Sequence, residues 1–321
     1  MRYFFSKTWL LASLCLFACQ LTYADSTESA GVPVDLSDVG GQVISRATPK
    51  FEDQPGLAVT SHVRAFDVNG VSYPDASLFI PVSFVANGNS RVSAFAHYVN
   101  RVRGPRTTFG CQPKCSDAEL AFDIVVFANE KRSLTVQPGI QSLTSRNNGT
   151  KLGQGGFFGF RFSTSINETL AFSVGGESIL RFDSTVDLGT QAYLGFSKLF
   201  NLSSRAVSGP LVLNIGLGSG AFSLFGNTLI STGYRSDRPD TIGDPNNFDF
   251  GLVGSISFSP LENLTLGLEY SGYGVGFGPS FRPIPGIPMV TTFYIYDLLW
   301  TPDELNYNVT PNFFGNLTFQ F

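Results

Sequence analysis

The end of the chain alternates without interruption to its final residue. Val309, Pro311, Phe313, Gly315, Leu317, Phe319 and Phe321 fall on one face, and Thr310, Asn312, Phe314, Asn316, Thr318 and Gln320 on the other. A period of two sends successive side chains to opposite faces of an extended strand, so one face meets an apolar environment and the other a mostly polar one. The same dyad recurs over 211–217, 248–258 and 264–270. Helical periodicity is nearly absent, and the fold class is therefore all-β.

Two architectures use such strands, a soluble sandwich and a closed barrel in a membrane. The second face of a sandwich meets water and carries Lys, Glu and Asp. Here it carries Gly, Ser, Asn and Thr, and charged residues make up 14% of the chain against about a quarter in soluble domains. Glycine and serine suit a crowded or water-filled lumen. The strands are about ten residues long, the length a tilted strand needs to cross a bilayer, and an edge left unpaired in lipid is not tolerated. The sequence thus predicts a closed antiparallel transmembrane β-barrel of about 14 strands, with 12–16 as the range. They are placed at 56–67, 77–86, 91–102, 118–127, 133–144, 156–166, 168–179, 189–199, 209–222, 246–258, 262–271, 274–283, 288–299 and 309–321. The connections alternate: 86–90, 128–132, 165–167, 259–263 and 282–288 are short, whereas 103–117, 145–155, 223–245 and 300–308 are mostly longer and more polar, the tight connection near 271–274 being the exception on the long side. Short connections are assigned to a periplasmic side and long ones to an extracellular side.

The first residues read as an export signal. Arg2 and Lys7 precede the apolar run 8–19, and Thr22-Tyr23-Ala24 offers a cleavage site before Asp25. The competing reading is lipoprotein processing at Cys19. Segment 1–24 is taken as the signal peptide, 25–55 as a periplasmic tail and 56–321 as the barrel. A plug made by the tail is the alternative for 25–55, which is polar and holds Pro33, Pro49 and Pro55. With Cys15 and Cys19 in the signal, Cys111 and Cys115 remain, and in an oxidising compartment they are expected to form a small-loop disulfide. Two histidines, His62 and His97, are too few for a zinc site, and no metal or other cofactor is expected. A mildly acidic net charge of −4 with few lysines argues against nucleic acid as a partner.

A signal segment, a long series of amphipathic strands and a last strand with Leu317, Phe319 and Phe321 on its apolar face resemble the outer-membrane β-barrels of double-membraned bacteria, porin-like in architecture. The resemblance implies insertion by the barrel-assembly machinery through that terminal signal. It also implies an outer-membrane location among lipid and lipopolysaccharide.

Candidate functional residues are those on the inward phase and in the loops. Arg161, Glu177, Asp249, Glu269 and Arg282 are expected to face the lumen; both signs occur, and a strongly selective pore would show one. Arg101, Arg103, Arg106 and Lys114 crowd the loop that holds the cysteines. Bent inward they form a cationic constriction; outside they meet lipopolysaccharide phosphates. Asp237, Asp240 and Asp244 lack the spacing of a calcium loop. Gly272, Gly274, Gly276 and Gly278 put a bare stripe on one strand face, read as relief of curvature. The expected function is a pore or passive transporter for small solutes. The alternatives are a structural or surface-interaction barrel with an occluded lumen and, more remotely, a lipid hydrolase using His62 or His97. No enzymatic motif such as G-x-S-x-G supports the last.

Overall fold

Alternating segments form a wall when each pairs with the next, and the computed structural model shows that pairing carried around a full circle. The structure describes residues 50–52, 59–62, 64–87, 91–99, 117–140, 155–182, 191–203, 207–219, 222, 250–271, 274–284, 287–296 and 312–321. In chain order the strands are β1 (Lys50–Glu52), β2 (Val59–His62), β3 (Ala65–Val68), β4 (Val71–Tyr73), β5 (Val92–Val99), β6 (Asp117–Ala128), β7 (Arg132–Ile140) and β8 (Gly156–Ser165). They continue with β9 (Leu170–Arg181), β10 (Gln191–Ser203), β11 (Ser208–Gly218), β12 (Gly251–Leu261), β13 (Leu264–Ser271), β14 (Gly274–Phe281), β15 (Met289–Tyr296) and β16 (Asn312–Gln320). From β5 to β16 every strand pairs antiparallel with its sequence neighbours, and β16 returns to β5, closing a barrel of 12 strands. At the seam Phe321 N–H donates to Val92 C=O at 2.8 Å, so the last residue completes the ring.

The wall sorts its side chains by phase. On β11, Leu211, Leu213, Ile215 and Leu217 face out while Val212, Asn214, Gly216 and Gly218 are buried inside; β13 and β16 repeat the arrangement. Leu317, Phe319 and Phe321 lie on the outer face of β16. The outer surface is aliphatic at mid-height, with Val174, Ile215, Ile256, Leu268 and Leu317 exposed. Aromatic rings band both ends: Phe127, Phe200, Phe258, Phe281 and Phe319 near the short turns, and Tyr98, Phe158, Phe182, Phe250 and Phe313 near the long connections.

The interior corrects the expected strand count. The described residues of segments 56–67 and 77–86 are not wall strands; residues 59–62 and 64–87 lie inside the barrel as a plug. There β2, β3 and β4 form a separate three-stranded sheet, and 74–87 follows as irregular chain with an isolated bridge from Ser61 to Ala86. The physical reason is burial on all sides. An apolar–polar dyad reads alike whether its apolar face meets lipid or packs on the inner wall. Phe66, Val82 and Phe84 of the plug pack on Ala171, Leu199 and Val212, whereas Leu78 packs on Tyr294, Tyr296 and Phe314. Of the tail 25–55, β1 alone is described, paired with the end of β10 that projects at the short-turn side. The signal segment with Cys15 and Cys19, and Cys111 and Cys115, lie outside the described residues.

Candidate functional site

A buried irregular chain leaves many backbone N–H and C=O groups to satisfy, and the inner wall supplies hydroxyls for them. Ser83 N–H donates to Ser197 Oγ at 2.7 Å, Ala86 N–H to Ser133 Oγ at 2.9 Å and Asp75 N–H to Ser280 Oγ at 3.0 Å. Ser197 in turn donates to Asn214 Oδ1, and Asn214 Nδ2 donates to Ser255 Oγ at 2.7 Å, so one plug amide is tied into three consecutive strands. Ser83 Oγ also meets Ser173 Oγ at 2.8 Å. The inward Ser, Thr and Asn residues are the counterpart of the plug backbone.

Charged side chains hold it as well. Glu269 on β13, 1% exposed, accepts from the backbone N–H of Leu78 at 2.8 Å (Oε2) and of Phe79 at 3.1 Å (Oε1). Arg161 Nη1 donates to Val82 C=O at 2.9 Å, and Arg282 Nη2 donates to Ser72 Oγ. Asp75 of the plug accepts from Thr292 Oγ1 at 2.8 Å and Asn316 Nδ2 at 3.2 Å. Arg64 Nη1 donates to His97 Nε2 at 2.6 Å, while its guanidinium stands 5.4 Å from the Phe95 ring centroid.

Three of the residues expected to line the lumen, Arg161, Glu269 and Arg282, therefore meet at the plug. Glu177, at the loop-side part of β9, is partly buried and lies within electrostatic reach of Asp123 and Arg64. Asp249, Arg101, Arg103, Arg106, Lys114, Asp237, Asp240 and Asp244 lie outside the described residues. So does the side chain of His62; His97 points inward on β5 and serves as acceptor for Arg64. Sequence reasoning missed Arg64, Asp75 and Asp123. Asp123 falls on the inward phase of 118–127 and was open to detection there, whereas Arg64 and Asp75 were hidden by the placement of their segments in or beside the wall.

The glycine stripe of β14 has a use in packing. A Cβ on Gly276 would stand 2.5 Å from the Tyr296 ring, and one on Gly267 of β13 would collide with the Tyr294 hydroxyl. The two tyrosines of β15 lie flat along the inner wall over these bare positions, and Leu78 of the plug packs on them.

Fold and interior together define a closed antiparallel barrel filled by its own N-terminal segment. No protein-family model and no curated protein matches the chain.

Proposed function

We propose that this is an outer-membrane β-barrel that passes small solutes, with residues 59–87 as the gate of the passage. The location is supported by the outer surface: a closed ring has no unpaired edge, its aliphatic mid-band is exposed, and aromatic bands mark both ends as at membrane interfaces. Short turns would then face the periplasm. Leu317, Phe319 and Phe321 on the outer face of β16 would be read by the insertion machinery, and the long connections, including 101–117, would face lipopolysaccharide.

The single observation that carries the gate is how the plug is held. Part of its backbone is tied to wall hydroxyls, as with Ser83, Ala86 and Asp75, and part to charged wall side chains, Leu78 and Phe79 to Glu269 and Val82 to Arg161. Bonds to hydroxyls contribute about 0.5–1.5 kcal/mol each and those to charged groups about 1.5–3 kcal/mol, because water replaces both, so a plug attached through them is displaceable. The apolar cluster of Phe66, Val82 and Phe84 on Ala171, Leu199 and Val212 favours the second reading, an occluded barrel with an interaction role.

A plug-to-wall cross-link separates the two. Cysteines replacing Ser83 and Ser173, whose oxygens are 2.8 Å apart, are introduced into full-length protein carrying Cys111→Ser and Cys115→Ser. In planar bilayers the gate predicts conductance steps under reducing conditions and their loss on oxidation. A barrel that gives no steps in either state, with or without the cross-link, is occluded and the passage reading fails.

A further inference from the structure

Halfway along the lumen, on the β5–β8 side, two oppositely charged side chains are buried with an unanswered atom each. Asp123 on β6 is 5% exposed and, among the described residues, its Oδ2 has no hydrogen-bond partner; Arg64 of the plug is 6% exposed and its Nε has none among them either. They are near neighbours. Arg64 stands over Phe95, and Asp123 pairs with Ser93, the next inward residue on the same strand β5. Each lies within electrostatic reach of the other, yet among the described residues no ion pair joins them. Arg64 is drawn instead to His97 on β5, whose ring lies beside Phe79 and edge-on to Phe95.

A buried charged group that leaves one of its polar atoms unanswered carries an uncompensated desolvation cost. Asp123 offers an acceptor and Arg64 a donor, so the missing partner needs a cationic donor at one end and an anionic acceptor at the other. The wider surroundings select further. Glu177 adds a second negative charge and Arg161 a second positive one, and both act on the same region around Tyr193. Around Tyr193 the two charges of each sign balance, while the carboxylates of Asp75 and Glu269, already bonded to wall or plug, act on Arg64 from its other neighbours. A lone anion or a lone cation would leave it with a net charge in a desolvated place, whereas a zwitterion satisfies both orphaned atoms and adds no net charge.

We infer that the region between Asp123 and Arg64 is a binding subsite for a small zwitterionic solute of the amino-acid type, its ammonium group at Asp123 and its carboxylate at Arg64. The inference rests on the passage reading, because it names the solute class that would enter. Entry would bring the solute's carboxylate to a guanidinium supplied by the gate itself. Binding at this place therefore acts on Arg64 and through it on the docking of residues 59–87.

The test is calorimetric titration of refolded full-length protein in detergent with L-serine, compared with acetate and ethylammonium, each carrying one of its two charges. Serine is expected to bind at least about tenfold more tightly than either half, a tenfold ratio corresponding to about 1.4 kcal/mol. Asp123→Asn and Arg64→Gln should each weaken serine binding by a similar factor, while Glu262→Gln on an exposed turn leaves it unchanged. Equal affinities for serine and its halves, no saturable heat, or an Asp123→Asn protein that binds serine like the parent overturns the inference. If the variants do not fold, the ranking of the three ligands on the parent protein decides. Conductance steps without serine binding sink this inference alone; serine binding without steps leaves the subsite and sinks the passage.

Discussion

The carboxylate of Glu269 accepts the backbone N–H of Leu78 at 2.8 Å, bringing together residues separated by 191 positions. The neighbouring amide of Phe79 uses the same carboxylate, so one wall side chain clamps two successive amides at the point where the plug turns back. Replacing Glu269 by Ala leaves both amides buried without their acceptor, at about 1–3 kcal/mol for each unsatisfied group. The wall loses the contact of this carboxylate with Tyr296 on β15 but keeps its ladder, since the backbone pairing of β13 with β12 and β14 does not involve this side chain. Glu269→Ala should therefore raise the frequency of conductance openings by about tenfold or more, a tenfold change needing roughly 1.4 kcal/mol. Heat-modifiable gel migration, which reports the folded wall, should be retained. An unchanged opening frequency would mean that Glu269 does not hold the gate.

The fit of Tyr296 over Gly276 is open to a different test. Any β-carbon at 276 meets the ring at 2.5 Å, and overpacking of this kind costs roughly 1–3 kcal/mol. Gly276→Ala should lower the temperature at which the folded gel form is lost. Gly254→Ala, whose Cβ would find Asn214 C=O at 3.2 Å, should do so far less. Combining Gly276→Ala with Tyr296→Ala should recover part of the loss, because the two residues share one space.

Much of the wall was legible from its dyads because alternation records the two solvents on either side of a strand. All twelve observed wall strands coincide with predicted ones to within about five residues, and the short connections 128–132, 165–167, 259–263 and 282–288 fall on one end of the barrel, while the tight connection between Ser271 and Gly274 lies at the other. The plug was not legible by the same reasoning. Segment 77–86 is greasy because it packs inside, and nothing in a dyad tells the inner surface from the outer. A local signal was present nonetheless: Asn69-Gly70 between Phe66-Asp67-Val68 and Val71-Ser72-Tyr73 is the mark of a tight two-residue hairpin, too short for a wall that needs strands of about ten residues. The inward serines suit a crowded lumen and a water-filled one alike, because hydroxyls serve water and backbone equally. Their partners, amides such as those of Ser83 and Ala86, come from a segment distant in sequence and only the fold brings them together.

That hairpin makes its own prediction. Asn69 and Gly70 have φ of 52° and 81°, and Val68 pairs with Val71 across them, so the turn needs the left-handed region at both positions. A Cβ at Gly70 would meet nothing within 4 Å, so Gly70→Ala tests backbone strain alone, with a cost of about 1–2 kcal/mol. Limited proteolysis in detergent should cut the plug of Gly70→Ala faster than that of the parent while the wall fragment stays intact. Asn69→Gly, which accepts the same dihedral, should be cut no faster than the parent.

Proton uptake should bias the gate through Asp75. Burial pushes the Asp75 carboxyl above its ordinary value; the hydrogen bonds from Thr292 and Asn316 and the charges of Arg64 and Arg282 oppose that shift without cancelling it. A plug released into water returns Asp75 to the usual carboxylate range near 4. The docked state thus holds its proton to higher pH than the released state does. Docking is strongest below the released value and weakens as pH rises through the docked one. Opening frequency should accordingly increase from about pH 4 upward until Asp75 is ionised in both states, then level off. Asp75→Asn keeps a side chain of the same size but cannot titrate, so its profile should lose this component of the slope. Recordings of parent and variant across that range check the point: a parent whose openings do not vary with pH, or a variant with the same slope, removes Asp75 from control of the gate.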